Sequence, residues 1–195
     1  MNCATELNAS HLFGSQGRMT IPNLITVARL LCVPALVYAM ILGELQLAFG
    51  LFLAAGISDA VDGFIARHFN QRSELGTYLD PIADKLLLVS VFVMLTWLAV
   101  LPLWFLILVA SRDILIVAAV LLSSLMAQPV TVKPILVSKA TTAFQIGLAL
   151  VVLGELAFDL NLSGVGHTLL ILTSALTVLS AAAYLIDWLR HMSDD

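Results

Sequence analysis

Four aspartates gather between positions 59 and 84 of a chain that is otherwise 61% hydrophobic and only 11% charged. Asp59 and Asp62 are three residues apart, and Asp80 and Asp84 are four apart. Both intervals put the members of a pair on one face of a helix. An ionised carboxylate at membrane depth costs about 2.5 kcal/mol or more, so a cluster of them must be compensated. Two divalent cations would offset the mutual repulsion of four carboxylates. A pair of metals about 3.5–4 Å apart also suits phosphoryl transfer, polarising the phosphate and activating the attacking oxygen. Hard, oxygen-seeking ions are the expected cofactors, two of them, Mg²⁺ or Mn²⁺.

The residues around the pairs fit that chemistry. Gly63 and Ala66 lie one turn from the first pair and let a ligand come close to helix backbone. Arg67 ends the same face, where a guanidinium can hold a phosphate in two hydrogen bonds or serve as an anchor at the membrane edge. His11, His68, His167 and His191 have no metal-ligand spacing with each other or with cysteine. No nucleophile–base pair is evident, which favours direct displacement over a covalent intermediate. Cys3 and Cys32 do not read as a disulfide pair, one being terminal and the other inside an apolar run.

The elements that position these residues follow from hydropathy. A chain of 195 residues with a mean hydropathy of +1.03 reads as one all-α, polytopic membrane domain. At roughly 20 apolar residues per crossing, six transmembrane helices are expected. They run from Asn23 to Leu42, Gln46 to Ala66, Leu79 to Val100, Leu103 to Met126, Val137 to Phe158 and Val165 to Leu189. Breaks fall at Gly43-Glu44, Leu101-Pro102, Gln128-Pro129 and the stretch from Asp159 to Gly164. Residues 1–20 form a polar segment without the pattern of a signal peptide, residues 21–190 the membrane domain, and residues 191–195 a short tail. Trp97, Trp104 and Trp188 suit an interfacial aromatic belt.

The basic residues set the expected orientation. Arg18, Arg29, Arg67, Arg72, Lys85, Lys133, Lys139 and Arg190 fall at or near one set of span ends, with Arg67 and Arg72 assigned to the loop after the second span. The opposite connections carry Glu44 and Asp159 but neither Lys nor Arg. Both termini and the aspartate loop are therefore expected on the cytoplasmic side, in an inner or plasma membrane. The net charge of −4 has little bearing on this, because acidic residues hardly affect topology.

The whole pattern runs Asp59-x-x-Asp62-Gly63-x-x-Ala66-Arg67, eight residues, Gly76-x-x-x-Asp80-x-x-x-Asp84. It resembles the signature of the CDP-alcohol phosphatidyltransferases at every fixed position. The resemblance implies that fold and the transfer of a phosphatidyl group from CDP-diacylglycerol to an alcohol, with release of CMP. It implies that Asp59, Asp62 and Asp80 ligate the metals, and that Asp84 both ligates and acts as general base. Gly63, Ala66, Arg67 and Gly76 would form the cytidine diphosphate pocket. The lipid bilayer and a glycerol-based acceptor are the implied partners, the protein would be a homodimer, and no nucleic-acid partner is expected.

Ile21-Pro22-Asn23-Leu-Ile-Thr26-Val-Ala-Arg29 is similar to the family's first-span opening. Asn23, Thr26 and Arg29 would line the nucleotide site; the alternatives for the first two are a helix cap and a backbone-bonded membrane threonine. Ser111-Arg112-Asp113 lies mid-span, where it either pairs within the bundle or binds an acceptor phosphate together with Lys133 and Lys139. Followed by Lys133-Pro134, Ser138-Lys139 and Thr142-x-x-Gln145, it most resembles the eukaryotic-type cardiolipin synthases. Phosphatidylglycerophosphate synthases usually carry Arg-Glu there and a further Arg one or two turns on, and stand second. A divalent-cation transporter would also place carboxylates in a membrane. It would, however, have no use for acids clustered near one face or for the Gly-x-x-Ala-Arg element.

Overall fold

Each apolar run becomes a helix. The computed structural model describes residues 21–69, 74–125 and 136–193. These form α1 (Ile21–Ile41), α2 (Leu45–Phe69), α3 (Glu74–Trp97), α4 (Leu103–Leu125), α5 (Leu136–Phe158) and α6 (Ser163–Ser193), with no strand among the described residues. Several bounds differ from the hydropathy reading: α2 continues to Phe69 rather than Ala66, α3 opens at Glu74 rather than Leu79, and α6 continues to Ser193 rather than Leu189. Backbone hydrogen bonds carry a helix past the end of its apolar run, because they do not depend on what the side chains prefer. For the same reason Arg67 stands within α2 and not in a loop, and Gly76 belongs to α3.

The turns form where the chain can adopt left-handed backbone. Gly43, at φ 78°, ends α1, and the Glu44 N–H closes onto the Ala39 carbonyl at 2.9 Å. After α3 the left-handed position is taken by Ala99, at φ 58°, and the N–H groups of Val100 and Leu101 both donate to the Leu95 carbonyl. The helix thus stops before the expected Val100, and Pro102 starts the turn into α4. Asp159, at φ 52°, does the same after α5.

Helix α1 packs on α2 and α3; α5 packs on α6, α2 and α3; α4 packs on α6 and α3. The core between them holds Leu36, Met40, Phe52, Phe92, Phe105 and Leu148. Phe92 and Phe105 meet edge to face at 5.2 Å, which joins α3 to α4. Polar side chains are also buried. Thr141 donates to the Val137 and Leu176 carbonyls at 2.8 and 3.2 Å, and Thr177 donates to Thr173. Small hydroxyl residues that let backbones approach are how helices adhere where lipid removes the hydrophobic driving force. Conversely, Leu31, Tyr38, Leu103, Ile114 and Ile171 face outward. Apolar exteriors around a partly polar interior mark a membrane protein. By length and composition, Val137–Phe158 and Ser163–Ile186 can cross a bilayer, while α1 and α2 contain the shorter apolar stretches Val27–Ile41 and Leu45–Asp59.

Candidate active site

Arg29 organises the first half of the site. Its side chain is only 1% exposed, on the face of α1 that packs against α2 and α3. A guanidinium sealed in apolar surroundings has to be paired and hydrogen-bonded. Its Nη1 lies 2.9 Å from Asp59 Oδ1 on α2 and 2.7 Å from Asp84 Oδ1 on α3. One nitrogen thereby ties three helices together. The two carboxylates are 45% and 42% exposed, so both keep an accessible side.

Asp59 and Asp84 thus come from different motif pairs and meet at one point. Asp62 and Asp80 lie on the same two helices, one turn along; their side chains fall outside the described residues. So do those of Asn23 and Thr26 on α1, Gly63, Ala66 and Arg67 on α2, and Gly76 on α3, while Lys133 is outside the described residues altogether. Among the described residues no group of three or more His, Cys, Asp or Glu gathers as a metal centre. The donor chemistry nonetheless fits a divalent ion: hard carboxylate oxygens of two helices converge on a single positive nitrogen, on side chains that stay partly exposed.

A second polar cluster joins α3, α4, α5 and α6. Arg112, 3% exposed, donates from Nη1 to Asp113 Oδ1 at 2.8 Å. Its Nη2 donates to Ser138 Oγ at 2.6 Å and to Ser180 Oγ at 3.3 Å. Lys85 Nζ reaches the same Asp113 oxygen at 2.6 Å. Of the two readings of Ser111-Arg112-Asp113, pairing within the bundle is present, with Lys85 as a third member. Lys139 is exposed on α5, one residue past Ser138.

Both clusters line one cavity of about 440 Å³. Asp59, Asp84, Lys85, Arg112, Asp113 and Gln145 supply its polar wall. Phe52, Leu53, Ile57, Leu88, Ile146 and Leu150 are among its apolar lining. Leu53, Ile57 and Ile146 line the cavity and are also among the exposed large apolar residues, so its apolar side is open rather than sealed. Convergent carboxylates near a guanidinium and an ammonium, under apolar walls, can hold a phosphate-bearing amphiphile beside a group able to take a proton.

Three residues of this site were not in the sequence reading of the site: Arg29 as partner of the aspartates, Lys85 and Gln145. A signal existed for the first. An arginine followed by the apolar stretch to Ile41 needs an anion, and the nearby acids were the aspartates of the motif. For Lys85 and Gln145 no local pattern distinguishes them from other polar residues near a span end.

Comparison with known proteins agrees with the motif. The cardiolipin synthase (CMP-forming) of Homo sapiens is 34% identical over 181 residues, covering 85% of this chain and 60% of the human protein. The protein of the same name from Rattus norvegicus is 32% identical over 197 residues, covering 93% of this chain and 65% of its own length. That of Streptomyces coelicolor is 37% identical over 108 residues, covering 52% of this chain and 50% of its own. The chain thus spans less than two thirds of the length of these relatives. The sequence profile of CDP-alcohol phosphatidyltransferase matches residues 19–183, nearly all of the helical domain that carries the aspartates and Arg112, and the chain belongs to that family.

Proposed function

We propose that this chain is a CMP-forming cardiolipin synthase, which moves the phosphatidyl group of CDP-diacylglycerol onto the free hydroxyl of phosphatidylglycerol. The hydroxyl oxygen bonds to the lipid-bearing phosphorus, the bond from that phosphorus to the CMP oxygen breaks, and the hydroxyl proton passes to Asp84. The observation that carries the reading is the placement of Asp59 and Asp84 in one cavity with Arg112, beneath walls that can hold acyl chains. The names of the relatives support the same acceptor.

Asp59, Asp62, Asp80 and Asp84 are assigned two divalent cations, Mg²⁺ or Mn²⁺. Once bound, such ions polarise the phosphate and offset its charge. Asn23 and Thr26 from α1, Gly63, Ala66 and Arg67 from α2, and Gly76 from α3 are assigned the cytidine diphosphate. Arg112, Lys133 and Lys139 are assigned the acceptor. The distribution of basic residues supports six crossings, with both termini and the active site on the cytoplasmic side of an inner or plasma membrane. The working unit is taken to be a homodimer.

The purified protein, given CDP-diacylglycerol and phosphatidylglycerol, should release CMP and form cardiolipin. EDTA should abolish both, and Mg²⁺ or Mn²⁺ should restore them. Full activity in chelator would remove the metals from the reading. Formation of phosphatidylglycerophosphate alone, from glycerol-3-phosphate, would replace the acceptor and leave the family chemistry in place.

A further inference from the structure

The inward face of α5 changes from polar to apolar at Gln145. Before it, Ser138 accepts from Arg112 Nη2, and Thr141 donates to the Val137 and Leu176 carbonyls. After it, the buried side chains of α5 are Leu148, Ala149, Val152, Leu153 and Ala157. Gln145 lies two turns beyond Ser138, about 10 Å along the helix axis. It therefore stands between the end of α5 that meets the Arg112 cluster and a stretch with only hydrocarbon to offer.

Unlike Ser138 and Thr141, Gln145 has an open donor. The residue is 2% exposed, and its Nε2 has no hydrogen-bond partner among the described residues. It also lines the cavity that holds Asp59 and Asp84. Buried donors are nearly always satisfied, so one that borders a cavity marks a place where an acceptor group is still to come. The amide is neutral, and an anion entering the cavity is drawn instead to Lys85 and Arg112. A lone water needs several polar partners, whereas the nearest cavity positions further along α5 are Ile146 and Leu150. A neutral acceptor that arrives as part of a larger amphiphile fits the position best.

We infer that Gln145 is the subsite for an ester carbonyl of a glycerolipid, with Nε2 donating to the carbonyl oxygen. The inference rests on the reading of the cavity as a phosphatidyltransferase site. A diacyl phospholipid carries its ester carbonyls a few bonds from the phosphate, where its own polarity gives way to hydrocarbon. With the phosphate at the charged end and the chains along Phe52 and Leu150, a carbonyl comes to the boundary that Gln145 occupies. An ether-linked lipid has the same charge and chains but a methylene in place of each carbonyl, so Nε2 stays open. The consequence is a preference for ester over ether lipids. Gln145 binds and selects, and takes no part in the bond changes.

CDP-diacylglycerol and phosphatidylglycerol both bring such esters, and the test separates them. Wild type and Gln145→Met are assayed in mixed micelles with each lipid replaced in turn by its dialkyl ether form. For one of the two lipids, wild type should show a kcat/KM about threefold to tenfold higher with the ester form, the worth of one hydrogen bond. That lipid is the one seated at Gln145. Gln145→Met keeps the side chain's length and removes the donor. It should lower kcat/KM for the ester form by a similar factor and leave the ether form near its wild-type value, so that the preference disappears. Gln145→Leu takes its place if the methionine variant does not fold. Equal use of ester and ether forms of both lipids by wild type overturns the inference with no variant needed, and so does a folded variant that keeps the preference. Either result, obtained while wild type makes cardiolipin, leaves the proposed function standing. Wild type that uses glycerol-3-phosphate in place of phosphatidylglycerol overturns the proposed acceptor, and the CDP-diacylglycerol arm then decides the inference. No release of CMP with any acceptor overturns both.

Discussion

Asp84→Asn should slow turnover by at least about a hundredfold, the usual scale for the loss of a general base, while the protein still folds. The substitution keeps the shape of the side chain and an oxygen that can accept the Arg29 Nη1 hydrogen bond, now 2.7 Å long. What disappears is the carboxylate to which the proposed function assigns the proton of the attacking hydroxyl. Asp59→Asn is the necessary comparison, because Asp59 shares the same guanidinium at 2.9 Å and is equally half-exposed. If the two residues differ in role, Asp84→Asn should bind CDP-diacylglycerol better than Asp59→Asn does, although both are slow. Binding of labelled CDP-diacylglycerol beside single-turnover CMP release reads the two effects separately. Equal loss of binding in both variants would reduce Asp84 to one more metal ligand.

Arg29→Met should lower the stability of the protein in chelator, and Mg²⁺ should recover part of the loss. Removing one partner of a buried ion pair costs about 3–5 kcal/mol when the other is stranded away from water. Here the stranded partners are Asp59 and Asp84, each more than a third exposed, so water takes up part of the cost. The expected loss is therefore about 1–3 kcal/mol, the range for an unsatisfied buried polar group. It should show as a lower melting temperature in detergent with EDTA. A divalent cation that binds the folded site stabilises it by mass action and offsets the same two carboxylates. The rise in melting temperature on adding Mg²⁺ should consequently be larger in Arg29→Met than in wild type. A variant that melts with wild type in chelator would show that Arg29 does not hold the three helices together.

Much of this site could be read from the chain because charge is so expensive in its setting. Each aspartate among apolar residues required a function, and their three- and four-residue intervals placed them on helix faces before any coordinates. Gly43, Pro102 and Asp159 likewise announced three turns through backbone preference. The early stop of α3 was not legible, since Ala99 in left-handed backbone has no sequence signature and is held by the N–H groups of Val100 and Leu101. Nor was the polar first turn of α3, where hydropathy is silent about a helix that the backbone continues. The pairings were the hardest. Arg29 and Asp84 lie 55 positions apart, and only the packing of α1 on both α2 and α3 decides which anion a buried guanidinium meets. Gln145 looked like one residue of a motif, and only burial with an open amide nitrogen shows it as part of a wall.

Under the proposed function, the apolar lip made by Leu53, Ile57 and Ile146 sets the dimensionality in which the protein would meet its lipid ligands. A lipid that enters past those side chains would arrive sideways, from within a leaflet, without first dissolving in water. What the cavity then samples is the mole fraction of that molecule in the leaflet, and bulk molarity becomes a poor measure of supply. Neighbouring lipids that never bind still dilute those that do. Membrane composition therefore acts on this protein as a concentration variable, set by whatever else the cell packs into the same plane.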